Sequence, residues 1–139
     1  MIPRVGIDLV RVSRIAESLA QFGDRFLRRV FTDDEIAYAS AAPALTHERL
    51  AARFAAKEAT IKALAAPGDD VAWPWRDIEV HRTASGACEI RLHGAAADHA
   101  RRAGAASLAV SLSHEGDYAT AVVLALTSFF SPSNPATLD

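Results

Sequence analysis

The strongest constraint on the fold is one amphipathic segment, residues 46–66, in which Leu50, Phe54, Ile61 and Leu64 fall within a narrow arc of the helical wheel. Thr46 is placed to cap it and Pro67-Gly68 to end it, which makes it the longest helix predicted in the chain. A stripe of this length must be buried against another layer, so this helix is expected to carry the core. Its arc is not purely apolar. Lys57 falls near its middle, while Glu58 and Lys62 lie together on its flank, four residues apart.

The remaining pattern supplies the other layer. Over residues 4–10, Val5, Ile7 and Leu9 alternate with Gly6, Asp8 and Val10, a strand with one continuously apolar face and Asp8 on the other. Ser13 is positioned to cap a helix carrying Ile15, Leu19 and Phe22, stopped by Gly23. Thr32-Asp33-Asp34-Glu35 reads as a capping box opening a short helix that runs to about Ser40, before Pro43. Strands at 77–82 and 88–93 form a hairpin through Thr83-Ala84-Ser85-Gly86. A helix over 95–103, stopped by Gly104, precedes a second hairpin, 107–113 with 118–126, turning on Glu115-Gly116-Asp117. The order β-α-α-α-β-β-α-β-β with two hairpins predicts an α+β fold, a largely antiparallel sheet packed on the long helix.

At 139 residues the chain fits one domain, expected over 1–126, with 127–139 read as a mobile tail from its Ser, Pro and Asn content. Half of the residues are hydrophobic, with only 7 Gly and 6 Pro, which excludes a mostly disordered chain. A formal net charge of -2 excludes a dedicated DNA-wrapping protein. One cysteine, Cys88, excludes an intramolecular disulfide and a Cys-rich zinc site. Asp8 and Arg11 interrupt the N-terminal apolar segment, and no run reaches membrane-span length, so the expectation is a cytoplasmic chain without membrane contact.

The charges set within apolar patterns carry the functional information. A carboxylate near a core costs several kcal/mol unless paired, hydrogen-bonded or bound to a cation, so Asp8 needs a partner. Backbone amides, Arg11 or Arg14 would satisfy it structurally. Glu58 and Lys62 would satisfy one another as an i,i+4 pair contributing about 0.2–0.5 kcal/mol. Should Asp8 and Glu58 instead face one another, two oxygen ligands suit Mg²⁺, which completes its shell with water and substrate phosphates. Lys62, one turn beyond Glu58, is then placed to neutralise a leaving phosphate.

Ser111-Leu112-Ser113-His114 sets hydroxyls and an imidazole just before a turn, where phosphate or ribose oxygens can be bonded. His47, His81, His93 and His99 are scattered and take no assigned role. A hydrolytic triad from Ser113, His114 and Asp117 fails, because no Gly-x-Ser-x-Gly elbow is present and strand neighbours point to opposite faces. Residues 1–31 hold Arg4, Arg11, Arg14, Arg25, Arg28 and Arg29 against Asp8, Glu17 and Asp24, a locally basic region suited to an acidic protein partner or to a solvated face. Nucleic acid fits less well, since no aromatic residues interleave with the arginines.

Three segments together resemble the holo-acyl-carrier-protein synthases, the short class of 4′-phosphopantetheinyl transferases. They are Gly6-Ile7-Asp8-Leu9-Val10 with Arg14-Ile15, then Arg53-Phe54-Ala55-Ala56-Lys57-Glu58-Ala59-Thr60-Ile61-Lys62-Ala63, then Ser111-Leu112-Ser113-His114. Asp77-Ile78-Glu79-Val80 also looks like the family's strand before its hairpin, and the likeness covers about residues 4 to 125. The family implies transfer of phosphopantetheine from coenzyme A to a serine of an apo acyl carrier protein, releasing adenosine 3′,5′-bisphosphate. Carried over by position, Asp8 and Glu58 hold Mg²⁺, and Glu58 receives the serine proton through a bound water. Lys62 stabilises the leaving phosphate, Arg53, Ser113 and His114 lie against the nucleotide end of coenzyme A, and Arg14 docks the acidic carrier helix. The short class builds its sites between protomers of a homotrimer, so assembly is expected here.

The chain departs from the family in its hairpin, where Gly86-Ala87-Cys88 replaces the frequent Gly-Lys-Pro or Gly-Arg-Pro. A cation and a rigid ring are thereby missing, and Asp69 and Asp70 make the loop after the long helix acidic. Two other readings follow. One is a non-catalytic carrier-binding subunit of the same fold; the other, ranked lowest, is a Mg²⁺-dependent phosphoester hydrolase, for which no residue is assigned to the water.

Overall fold

The computed structural model describes residues 1–66 and 68–128. Its central helix, α4 (Thr46–Leu64), follows α1 (Val12–Phe22), α2 (Asp24–Val30) and α3 (Asp33–Ser40) in the chain. It buries Ala51, Ala55, Ala56, Ala59 and Ala63 together with Leu50 and Leu64. Alanine is the best helix former and leaves no side chain to hold the next layer away. The strand β1 (Ile2–Arg11) uses that space, since a Cβ on Gly6 would lie 2.0 Å from the Ala59 carbonyl oxygen. Only glycine permits this approach.

The chain then makes β2 (Ile78–Arg82) and β3 (Cys88–Leu92), α5 (Gly94–Arg102), and the hairpin β4 (Ala105–Glu115) with β5 (Tyr118–Thr127). The α+β class and both hairpins are as the sequence predicts, with every described strand pairing antiparallel. The strands divide into two sheets, β1-β5-β4 and β2-β3. The register joins the chain ends, with Ile2 opposite Thr127 and Asp8 opposite Ala121. Strand β5 therefore extends through the buried Thr127, one residue past the predicted domain end, and positions 129–139 of the predicted tail lie outside the described residues.

Several local expectations change in tertiary context. The apolar row Val5, Ile7 and Leu9 turns away from α4 and is 65%, 63% and 63% exposed, because Gly6, Asp8 and Val10 take the side facing the helix. Helix α1 starts at Val12 without a side-chain cap; Ser13 instead bonds Asp117, through its amide at 2.9 Å and its hydroxyl at 2.6 Å. Thr46 is likewise inside α4, and its hydroxyl donates to the Ala39 carbonyl at 2.9 Å. The helix ends at Leu64, since Ala65 is already extended. The capping box is present as read, with Glu35 Oε1 accepting from the Thr32 amide at 2.9 Å and Thr32 Oγ1 accepting from the Glu35 amide at 3.2 Å.

Phe54 and Ile61 are only half-buried, whereas Lys57 is 0% exposed. Its ammonium lies 2.7 Å from Glu35 Oε1 and 3.0 Å from the Trp75 carbonyl, and it also donates to the Ile78 carbonyl. Burial pushes the Lys57 pKa below its ordinary value, against the opposing pull of the Glu35 carboxylate. Glu35 Oε2 accepts the Val80 amide at 3.0 Å, so one buried ion pair ties α3, α4 and β2 together.

Candidate active site

Asp8 and Glu58 arrive from different layers at one cavity of about 290 Å³, bounded also by Arg14, Ile15, Phe26, Phe54 and Trp75. The inward parity of Asp8 on β1 and the position of Glu58 one turn before Lys62 on α4 bring this about. Asp8 finds its partner in Lys62, whose ammonium lies 3.0 Å from Asp8 Oδ1 and 3.0 Å from the Ile7 carbonyl. Neither Arg11 nor Arg14 fills that place, and of the two readings of Lys62 the helical pair with Glu58 gives way to this contact between β1 and α4. Glu58 Oε1 accepts the Trp75 indole N–H at 2.6 Å.

The donor set is one of hard oxygens. Among the described residues no three His, Cys, Asp or Glu side chains gather as metal ligands; a hard cation at this cavity would have the Asp8 and Glu58 carboxylates to bind, with water and substrate oxygens completing its shell. That is the coordination habit of Mg²⁺ rather than of zinc. The cavity is also within reach of two cations, Arg14 at its wall and Lys62 on Asp8.

Arg53 and His114 share a different cavity, of about 280 Å³, with Tyr38, Arg49, Arg82 and Cys88. Arg53 is 4% exposed, and its Nε has no hydrogen-bond partner among the described residues. Burial pulls its pKa below the usual guanidinium range. The Arg49 and Arg53 guanidiniums each lie 4.2 Å from the Tyr38 ring centre, with Arg82 at 5.5 Å and Arg82 Nη1 donating to the Tyr38 hydroxyl at 2.8 Å. His114 Nδ1 sits 2.8 Å from Glu48 Oε1. Three guanidiniums gathered on one ring concentrate positive charge at this cavity, the kind of surface to which a phosphate could bind.

Ser113 joins neither cavity. It is exposed opposite Thr120, while His114, also exposed, lies on the other face of the strand beside Glu48 of α4, because successive strand side chains alternate faces. The structure thus unites Asp8, Glu58, Lys62 and Arg14, groups Arg53 with His114 elsewhere, and leaves Ser113 on the outer sheet face.

The profile of the 4'-phosphopantetheinyl transferase superfamily matches residues 4–123. The chain belongs to that superfamily. Within it, it falls among the holo-acyl-carrier-protein synthases: it is 45% identical over 124 residues to the "Holo-[acyl-carrier-protein] synthase" of Koribacter versatilis, covering 89% of this chain and 98% of that protein. Two solved structures share its fold. The ACPS-CoA complex of Chronobacterium ammoniagenes matches at a TM-score of 0.81 and 34% identity, covering 92% of this chain and 99% of the other. The Helicobacter pylori holo-[acyl-carrier-protein] synthase, solved in complex with coenzyme A, matches at 0.75 and 28%, covering 88% and 99%.

Sequence reading missed Trp75, Tyr38, Arg49 and Arg82. Arg49 had a usable signal, standing four residues before Arg53 and hence on the same helix face. Arg25 and Arg29, read only as part of a basic region, line a groove of about 410 Å³ with Phe22, Phe26 and Trp75, next to the carboxylate cavity. No helix among the described residues is long and apolar enough to cross a membrane.

Proposed function

We propose that this protein transfers 4′-phosphopantetheine from coenzyme A to a serine hydroxyl of an apo acyl carrier protein, giving holo carrier protein and adenosine 3′,5′-bisphosphate. The observation that carries the reading is the convergence of Asp8, Glu58 and Arg14 on one cavity, with Lys62 held on Asp8. Asp8 and Glu58 would hold Mg²⁺, which when bound supplies charge neutralisation to the pyrophosphate. Glu58 is the acceptor for the serine proton, through a water. Lys62, half-exposed and held at 3.0 Å from Asp8, offers its charge to the departing phosphate.

Arg53, Ser113 and His114 are assigned to the nucleotide end of coenzyme A. Their separation from the carboxylate cavity within one chain supports a site shared between copies, with one copy supplying the carboxylates and its neighbour the nucleotide contacts. The outer face of the three-stranded sheet supports the same assembly, since Val5 pairs with Leu124 and Ile7 with Val122 across an exposed apolar surface. Such a patch on a monomer marks an interface, and a homotrimer in the cytoplasm is the proposed form. Arg14, with Arg25 and Arg29 at the adjoining groove, offers a basic docking face to the acidic carrier.

The test is the intact mass of an apo carrier protein after incubation with this protein, coenzyme A and Mg²⁺, with EDTA as control. A gain of one phosphopantetheine, abolished by EDTA, is expected. No gain across several carriers that still bind would overturn the reading in favour of a non-catalytic carrier-binding subunit.

A further inference from the structure

Trp75 is fixed at three points, one on its backbone and two on its side chain, and each leads back to the helix that bears Glu58. Its carbonyl accepts the buried Lys57 ammonium at 3.0 Å, its ring packs against Phe54 with centroids 6.1 Å apart, and its indole N–H donates to Glu58 Oε1 at 2.6 Å. Lys57 is itself immobilised by Glu35, so the residue that pins the Trp75 backbone directly precedes the residue that receives its N–H. The ring also stands between the carboxylate cavity and the Arg25–Arg29 groove, forming part of the wall of both.

We infer that Trp75 is a positioning residue for Glu58: its N–H occupies one carboxylate oxygen, fixes the rotamer, and leaves the other oxygen for metal or substrate. The inference rests on the transfer function proposed above. An indole is suited to this task because it is a donor only and cannot compete for the proton that Glu58 is to receive. A hydrogen bond to an ionised carboxylate is among the stronger ones a side chain makes, and a site held by such supports loses rate when they are removed.

Trp75→Phe keeps the aromatic wall and removes only the N–H. It is expected to lower kcat for carrier modification about tenfold, the scale of one hydrogen bond to a charged group, while KM for coenzyme A stays within about twofold. A merely structural role would not divide kcat from KM in this way. The second measurement reads the bond directly. The protein has 2 tryptophans, so its ¹H–¹⁵N spectrum carries two indole signals, assigned by their loss in Trp75→Phe and Trp73→Phe. Glu58→Gln is expected to move the Trp75 signal upfield and leave that of Trp73 in place.

An unchanged kcat in folded Trp75→Phe, or a Trp75 signal indifferent to Glu58→Gln, would overturn the inference. Should Trp75→Phe fail to fold, Glu58→Gln in the otherwise native chain still decides it. If the unmodified protein transfers nothing, the proposed function fails, while the indole signal reports independently whether Trp75 holds Glu58.

Discussion

The Lys57 ammonium and the Glu35 carboxylate meet at 2.7 Å with both side chains wholly buried. Lys57 also satisfies two backbone carbonyls, and Glu35 two backbone amides, from Thr32 and Val80. The pair joins the segment that contains Trp75 to the helix that carries Glu58.

Removing one partner of a buried pair leaves an uncompensated charge. Lys57→Met should destabilise the fold by about 3–5 kcal/mol, measured by urea unfolding. Lys57→Met with Glu35→Gln should recover part of that loss, because the stranded carboxylate is gone; a double variant no better than the single would contradict this account.

Asp8→Asn and Glu58→Gln should each retain native thermal unfolding and lower carrier modification by about 100-fold or more. Neither site lies in the alanine-rich core, so activity and stability should separate. Mass spectrometry of the carrier and calorimetry of the variants check the two halves.

If the sheet face is an interface, Ile7→Glu should dissociate the assembly to a species of 14.8 kDa in sedimentation and abolish transfer. A native protein that already sediments as a monomer would refute the shared site.

Arg82 stands in the cavity of Arg53 and His114 in a chain whose hairpin lacks the family's cation. Arg82→Gln should raise KM for coenzyme A about tenfold, and hardly alter it for 3′-dephospho-coenzyme A, which lacks the terminal dianion. Equal effects on both substrates would remove Arg82 from phosphate recognition.

Glu79 gives a pH prediction. Burial raises its pKa, but the hydrogen bonds from Thr32 and His93 and the charges of His93 and Lys57 outweigh it, so the net shift is downward from 4.5. A depressed folded-state pKa contributes stability that is present above the unfolded value and lost as pH falls through the folded one. The stability advantage of the native chain over Glu79→Gln should therefore be present above the unfolded value of 4.5 and be lost as the pH falls below it, as urea unfolding across an acid series would reveal.

Much of this architecture was legible in short segments. The capping box at Thr32 and Glu35 and both hairpins depend on neighbours a few residues away, and their boundaries fell close to the predicted ones. The motif around Lys57, Glu58 and Lys62 lies on the long helix as read. Misreadings came where a distant group offered a better bond than the local one. Ser13 left its capping role for Asp117, and of the alternatives weighed for Lys62 the local pair with Glu58 yielded to Asp8. Asp69 of the acidic loop lines a cavity with Arg4 and Trp73 that shares no lining residue with either candidate site.

By itself, the sequence determined the α+β class, both hairpins, the family and the types of charge placed within apolar patterns, because each is written in local periodicity or contiguous motifs, whereas the predicted order of elements lacked the short helix α2. Only the tertiary structure decided which face of β1 meets the helix, that Lys57 is buried against Glu35, that Trp75 bonds Glu58, and that Ser113 and His114 look in opposite directions. Those outcomes turn on cross-strand register and on how closely layers approach. The 2.0 Å that would separate a Gly6 Cβ from the Ala59 carbonyl oxygen is a property of two segments packed together, which neither segment encodes alone.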